Sequence, residues 1–206
     1  KLLEIIKPGM KESEVSAEIS YWHKKYGAEK DSFDPIVASG WRGALPHGMA
    51  SQKVIESGEL VTLDFGCIYE GFCSDMTRTI AVGKPKSDEM VKIYNVVLES
   101  QLLAVNAAKA GVNTRQLDSI ARNYINEKGY EGKFGHGLGH GLGIEVHEMP
   151  GVSQRMDIDI PANVVFTIEP GIYIEGLGGV RIEDDVFTKE GGCDVLNTSP
   201  KELIII

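Results

Sequence analysis

Two stretches of this sequence, residues 60–82 and 164–187, alternate or run apolar like β-strands joined by glycine-bearing turns, yet each carries carboxylates among residues that favour burial. Glu70-Gly71 marks the turn of the first hairpin, and Glu175-Gly176 with Gly178-Gly179 that of the second. Strand alternation puts Thr62 and Asp64 on one face, with Val61, Leu63 and Phe65 opposite, and lets Asp75, Thr77 and Thr79 join them from the returning strand. In the second hairpin Glu169 follows Val164-Val165-Phe166-Thr167-Ile168, and Glu183 follows Gly179-Val180-Arg181-Ile182. An ionised carboxylate in such company requires a cationic partner.

Helical patterns lie between the hairpins. Ser87 is expected to cap a helix with Asp88 and Glu89 in its first turn and Met90, Tyr94, Val97, Leu98, Leu102 and Val105 on one face, stopped by Gly111. Thr114 reads as the next N-cap, followed by Leu117, Ile120, Ala121, Tyr124 and Ile125 before Gly129. Val15, Ile19 and Trp22 mark an earlier helix. All three stripes are read as core faces. Helices placed between two hairpins predict an α+β domain with a largely antiparallel sheet, rather than alternating βαβ units.

At 206 residues, 42% hydrophobic, the chain is expected to form a single domain over 1–206 with a core that needs no disulfide or metal staple. Its 21 Lys and Arg against 30 Asp and Glu argue against nucleic acid as a partner. Apolar runs such as 203–206 are far short of the roughly 20 residues that span a bilayer, and no signal peptide is evident. Cys67, Cys73 and Cys193 form no Cys-x-x-Cys spacing and read as packing residues, which fits a cytoplasmic location. The start at Lys1, already inside an apolar pattern of Leu2, Leu3, Ile5 and Ile6, leads to the expectation of a longer parent protein.

Any one of Asp64, Asp75, Glu169 and Glu183 could be a structural ion pair. Four together cannot be balanced by Arg78 and Arg181, the only fixed cations nearby in sequence. Crowded like charges raise one another's pKa, whereas two divalent cations cancel four carboxylates. A nitrogen ligand is available in the segment from Gly135 to Glu148, which holds His136, His140 and His147. His136 and His140 are four apart, but the glycines between and around them make a helix costly, at about 1 kcal/mol each. An extended strand is expected instead, with His136, Leu138, His140 and Leu142 on one face, the glycines on the other, and His140 pointing into the site. Taken singly, His136 and His147 are also compatible with core histidines. His47 lies in a loop before the first hairpin, and His23 is read as solvated surface.

With Asp64, Asp75, His140, Glu169 and Glu183 in that order, the chain resembles the pita-bread metallopeptidases of family M24, which include methionine aminopeptidase, aminopeptidase P and prolidase. The resemblance runs from about residue 5 to residue 200. Ser74-Asp75-Met76-Thr77-Arg78-Thr79, the pair His136 and His140, and Arg181 two residues before Glu183 are similar to the Xaa-Pro branch. It implies a pita-bread fold with two pseudo-symmetric halves covered by helices. It further implies that Asp64 binds one metal, that His140 and Glu169 bind another, and that Asp75 and Glu183 bridge the two around a hydroxide. Glu169 is the implied proton shuttle, His47, His136 and His147 the implied substrate-side histidines, and Arg181 a partner that orients the bridging carboxylates. The implied substrates are short peptides with proline in second place, and the implied ions are manganese, with cobalt, zinc or iron accepted by the same ligands. Relatives of this branch carry a separate N-terminal domain, absent from this chain, and the longer protein is implied to form a homodimer. Methionine aminopeptidase, a metal-free binding protein and a creatinase-like enzyme are the alternatives.

Overall fold

The computed structural model describes residues 1–206. The chain opens with α1 (Leu2–Ile5) and α2 (Glu12–Lys25), followed by β1 (Lys30–Asp31), β2 (Ile36–Ser39) and a 3-10 turn over Gly40–Ala44. The first hairpin contributes β3 (Glu59–Phe65), β4 (Cys67–Tyr69), β5 (Phe72–Cys73) and β6 (Met76–Val82). Then come α3 (Asp88–Ala107), α4 (Thr114–Ile125), β7 (Gly139–Gly141) and β8 (Glu148–Val152). The second hairpin and the strand after it supply β9 (Val165–Ile168), β10 (Gly171–Ile174), β11 (Gly178–Arg181), β12 (Asp184–Lys189) and β13 (Gly192–Val195).

The expected α+β architecture is observed, and every pair of neighbouring strands is antiparallel. β3 and β6 pair in the register Thr62 to Thr79 and Asp64 to Thr77, so the polar face of the first hairpin is shared as the alternation required. Glu70 and Gly71, with φ of 49° and 80°, form the tight turn between β4 and β5. The second hairpin changes sheets halfway along. β9 pairs with β12, β10 with β11, and Glu169-Pro170 and Ile182-Glu183 fall in the two breaks. Both embedded glutamates thus sit where the ladder is interrupted and their side chains can leave the sheet plane.

Two cores hold the halves. The larger packs α3 and α4, through Ile93, Val97, Leu117 and Ala121, on Phe166, Ile168, Ile172, Val180 and Val186. The smaller packs Val15 and Ile19 of α2 on Val37, Val61, Leu63 and Ile80. Each of these Val, Leu, Ile and Phe side chains contributes about 1.5–3 kcal/mol on full burial. The apolar face of each sheet therefore meets helices, and the opposite face is left for the carboxylates. The seam between the halves is stitched where Glu183 N donates to Thr77 O at 3.1 Å and Thr79 Oγ1 to Arg181 O at 3.0 Å.

Helix ends differ from expectation. α3 stops at Ala107 because Ala108 turns extended, and Gly111 lies beyond it in a turn tethered to Ile160 O. Ser87 is the N-cap residue of α3, but its hydroxyl makes no capping bond and is buried without a partner. Asn113, not Thr114, caps α4, its side chain accepting from Arg115 N at 3.0 Å. No helix is long and apolar enough to cross a membrane.

Candidate metal centre

A cavity of about 510 Å³ opens at the seam, lined by Asp64, Asp75, His140, Glu169 and Glu183, with His47, His136, His147 and Arg181 around them. All nine residues singled out from the sequence thus meet in one place. Asp64 comes from β3, Asp75 from the residue before β6, His140 from β7, and Glu169 and Glu183 from the two breaks in the second hairpin. His140 Nε2 lies 3.4 Å from Glu169 Oε1 and 3.7 Å from Asp75 Oδ2. Ligand atoms of Asp75, His140 and Glu183 fall within 4.8 Å of one another, a spacing that one ion with bonds of about 2.0–2.6 Å can span.

The protein's own charges do not balance this cluster. Burial, then the charges of Asp64 and Glu169, pushes Asp75 up to about 10. Burial likewise lifts Glu169 to about 8 and holds Glu183 well above the usual carboxylate range, while it pushes His140 down to about 4. The buried Oδ1 atoms of Asp64 and Asp75 receive no hydrogen bond. Carboxylate oxygens left without donors, beside an imidazole driven neutral, make a donor set that fits divalent cations.

Arg181 is the one guanidinium at the cluster. Its Nη2 donates to Asp64 Oδ2 at 2.5 Å, its Nε to Thr77 Oγ1 at 3.1 Å, and its Nη1 to Tyr173 Oη at 3.0 Å and Pro46 O at 2.9 Å. It touches neither Asp75 nor Glu183 directly. Glu183 is reached through Thr77, whose hydroxyl donates to Oε2 at 2.5 Å. Arg78, the other cation expected here, faces away and pairs with Asp184 at 2.6 Å, so it neutralises none of the four acids.

Three contributors, Tyr173, Asp185 and Asn197, were not anticipated. Tyr173, on β10, accepts from Arg181 and lies 2.7 Å from His136 Nε2. Because Tyr173 Oη accepts a hydrogen bond from Arg181, it donates its own hydroxyl hydrogen to Nε2, and Nδ1–H of His136 donates to Gly137 O at 2.8 Å. Both ring nitrogens of His136 are therefore engaged within the protein, which leaves His47 and His147 as the better placed free imidazoles. Asp185 Oδ2 accepts from Asp75 N at 3.1 Å, and Asn197 donates to Asp75 O at 3.4 Å, which fixes the Asp75 peptide from both sides. The position of Asp185 two residues after Glu183 was the available signal for that acid.

The glycine-rich segment departs from the single extended strand. Only Gly139–Gly141 pairs as strand, with a register shift between them, and Leu138 turns into the larger core while His136 and His140 line the cavity. Close backbone approach is nonetheless the reason for glycine at 139, where a Cβ would lie 1.8 Å from Thr167 O. His23 is not solvated surface. Its side chain is 15% exposed and its Nδ1 lies 2.6 Å from Asp31, a residue returned to α2 by the turn at Gly27.

The family model described as metallopeptidase family M24 matches residues 1–190. An Xaa-Pro dipeptidase from Bacillus anthracis superposes with a TM-score of 0.98 at 56% identity, covering 100% of this chain and 57% of that one. An X-Pro aminopeptidase from Thermotoga maritima superposes with a TM-score of 0.97 at 52% identity, covering 100% of this chain and 58% of that one. An Xaa-Pro dipeptidase from Pyrococcus horikoshii is 52% identical over 202 residues, 98% of this chain and 57% of the relative. The chain thus spans a little under three fifths of the length of these relatives.

Proposed function

That the chain belongs to metallopeptidase family M24, with its pita-bread fold, is the premise from which we propose that residues 1–206 are a catalytic domain hydrolysing the bond between an amino-terminal residue and a following proline. The observation that carries the reading is the convergence of Asp64, Asp75, His140, Glu169 and Glu183 in one cavity beside Arg181. The names of the relatives, Xaa-Pro dipeptidase and X-Pro aminopeptidase, support the substrate class: short peptides with proline second.

Asp64, Asp75, His140, Glu169 and Glu183 would hold two divalent ions, manganese first among those this set accepts. When bound, such ions supply Lewis acidity, which acidifies water and polarises a carbonyl. Glu169, its Oε1 fixed by Thr167 Oγ1 at 3.1 Å, takes a proton from the attacking water and returns it to the departing proline nitrogen. His47 and His147, with free ring nitrogens at the cavity wall, donate to the oxygen that gains charge as the carbonyl is attacked. Arg181 holds Asp64 in place through their ion pair and ties it to Tyr173 and His136.

Rates on Xaa-Pro and Met-Ala peptides with manganese or cobalt test the reading. Faster cleavage of Met-Ala would transfer the chain to methionine aminopeptidase chemistry. Absence of both bound metal and hydrolysis would point to a binding protein.

A further inference from the structure

Glu12, in the first turn of α2, is 0% exposed, and the chemistry above does not use it. Its two oxygens collect five donors. Oε1 accepts from the backbone N and the hydroxyl of Ser39 at 2.7 Å and 2.9 Å. Oε2 accepts from the backbone N and the hydroxyl of Ser51 at 3.1 Å and 2.6 Å, and from Arg42 Nη1. Ser39 and Ser51 are the two ends of the loop 40–50, so one carboxylate closes that loop at its neck. Arg42 Nη2 continues across the loop to Met49 O at 2.8 Å. Charge-assisted bonds of this kind are about twice as strong as neutral ones, and the two from Ser39 are buried.

The far side of the same loop faces the cavity. Pro46, His47 and Met49 line it, and Pro46 O accepts from Arg181. Gly43 packs so closely on β11 that a Cβ there would lie 2.9 Å from Gly179 N. The loop is therefore held against β11 by close packing, at Met49 by a bridge to Ile36 of β2, and at its neck by Glu12. The imidazole of His47 lies between them with no hydrogen-bond anchor of its own.

We propose that Glu12 is a positioning residue for the substrate side of the cavity, fixing His47 through the closed neck of the loop without touching the peptide. The assignment rests on the peptidase reading above. Glu12 contributes by geometry: a loop tied at both ends to one rigid helix keeps His47 at a set distance from the carboxylate cluster, whereas an open neck lets it wander.

Glu12→Gln tests this, because it keeps the volume but turns one acceptor oxygen into a donor facing other donors. In the manganese-loaded protein, KM for an Xaa-Pro dipeptide is expected to rise by about tenfold with kcat changed less than about threefold, and that penalty should vanish in a His47→Ala background. Amide exchange of residues 40–50 should accelerate while that of β9 and β12 stays unchanged. Equal penalties with and without His47, or unchanged exchange in the loop, would overturn the proposal. Should Glu12→Gln fail to fold, Ser51→Ala removes the hydroxyl bond, one of the five, and is read in the same way. If the wild-type protein cleaves no Xaa-Pro peptide, the peptidase reading falls separately; faster loop exchange then still supports the anchoring by Glu12, and unchanged exchange overturns it.

Discussion

Arg181 and Asp64, 117 residues apart in the chain, meet in a 2.5 Å ion pair at the wall of the cavity. The pair joins the second hairpin to the first and supplies the only guanidinium against four acids. Arg181→Ala leaves Asp64 as a buried charge without a partner, a change that costs about 3–5 kcal/mol where nothing else compensates. We expect a loss in that range for the metal-free protein in urea denaturation and less than about half of it with manganese present. Equal losses under both conditions would mean that no cation shares Asp64.

Tyr173→Phe removes the hydroxyl between Arg181 and His136. The expected loss of stability is about 1–3 kcal/mol, because two buried hydrogen-bonding groups lose a partner. His136 also loses the proton donor at Nε2, so its ring should no longer be confined to the Nδ1–H tautomer. Nitrogen chemical shifts of His136 in both proteins check this, and an unchanged tautomer would break the relay from Arg181.

Asp75→Asn removes one of the charges that would hold the proposed ions. The variant should keep its circular dichroism spectrum, bind manganese at least about tenfold more weakly, and hydrolyse no Xaa-Pro peptide. Undiminished turnover would take Asp75 out of the mechanism.

Metal affinity should depend on pH with a definite sign. Asp75 and Glu169, raised by burial to about 10 and about 8, hold protons at neutral pH that an ion must displace. Affinity is therefore expected to rise with pH between about 6 and 8, roughly tenfold per unit for each proton released. The metal-free fold behaves oppositely. Glu169 and Asp185, at about 8 and about 7, bind protons more tightly when folded than when unfolded, so their contribution is complete at acid pH and is lost as pH rises through those values. The gap in melting temperature between manganese-loaded and chelator-treated protein should accordingly widen from pH 6 to 8, and a constant gap would refute the assignment.

Gly139→Ala tests the fold without reference to activity. A Cβ there would lie 1.8 Å from Thr167 O, a backbone atom that cannot move without breaking the β7 to β9 contact. A loss of at least about 2–3 kcal/mol is expected, measurable by thermal or urea unfolding.

The carboxylates were legible in the sequence because each breaks an apolar strand pattern, a local conflict that only tertiary structure resolves. Asp64 and Thr77 even pair in the register that alternation implies. Tyr173 left no such mark, since a tyrosine on a strand is ordinary and only the fold brings it to His136. Glu12 reads as a first-turn helix acid, and nothing local shows that Ser39 and Ser51 converge on it. His23 was misjudged because its partner Asp31 lies beyond the turn at Gly27. Leu138 was misplaced because the histidine segment twists at a register shift instead of running straight, which sends neighbouring side chains to different layers.

The cavity lies between two cores, with Asp64 on the sheet of the smaller and Glu169 and Glu183 in the strand breaks beside the larger. Cations gripped from both sides would act as rivets between two plates. Stripping them should let the plates work loose from each other before either one melts, so that protease cuts appear along the join first.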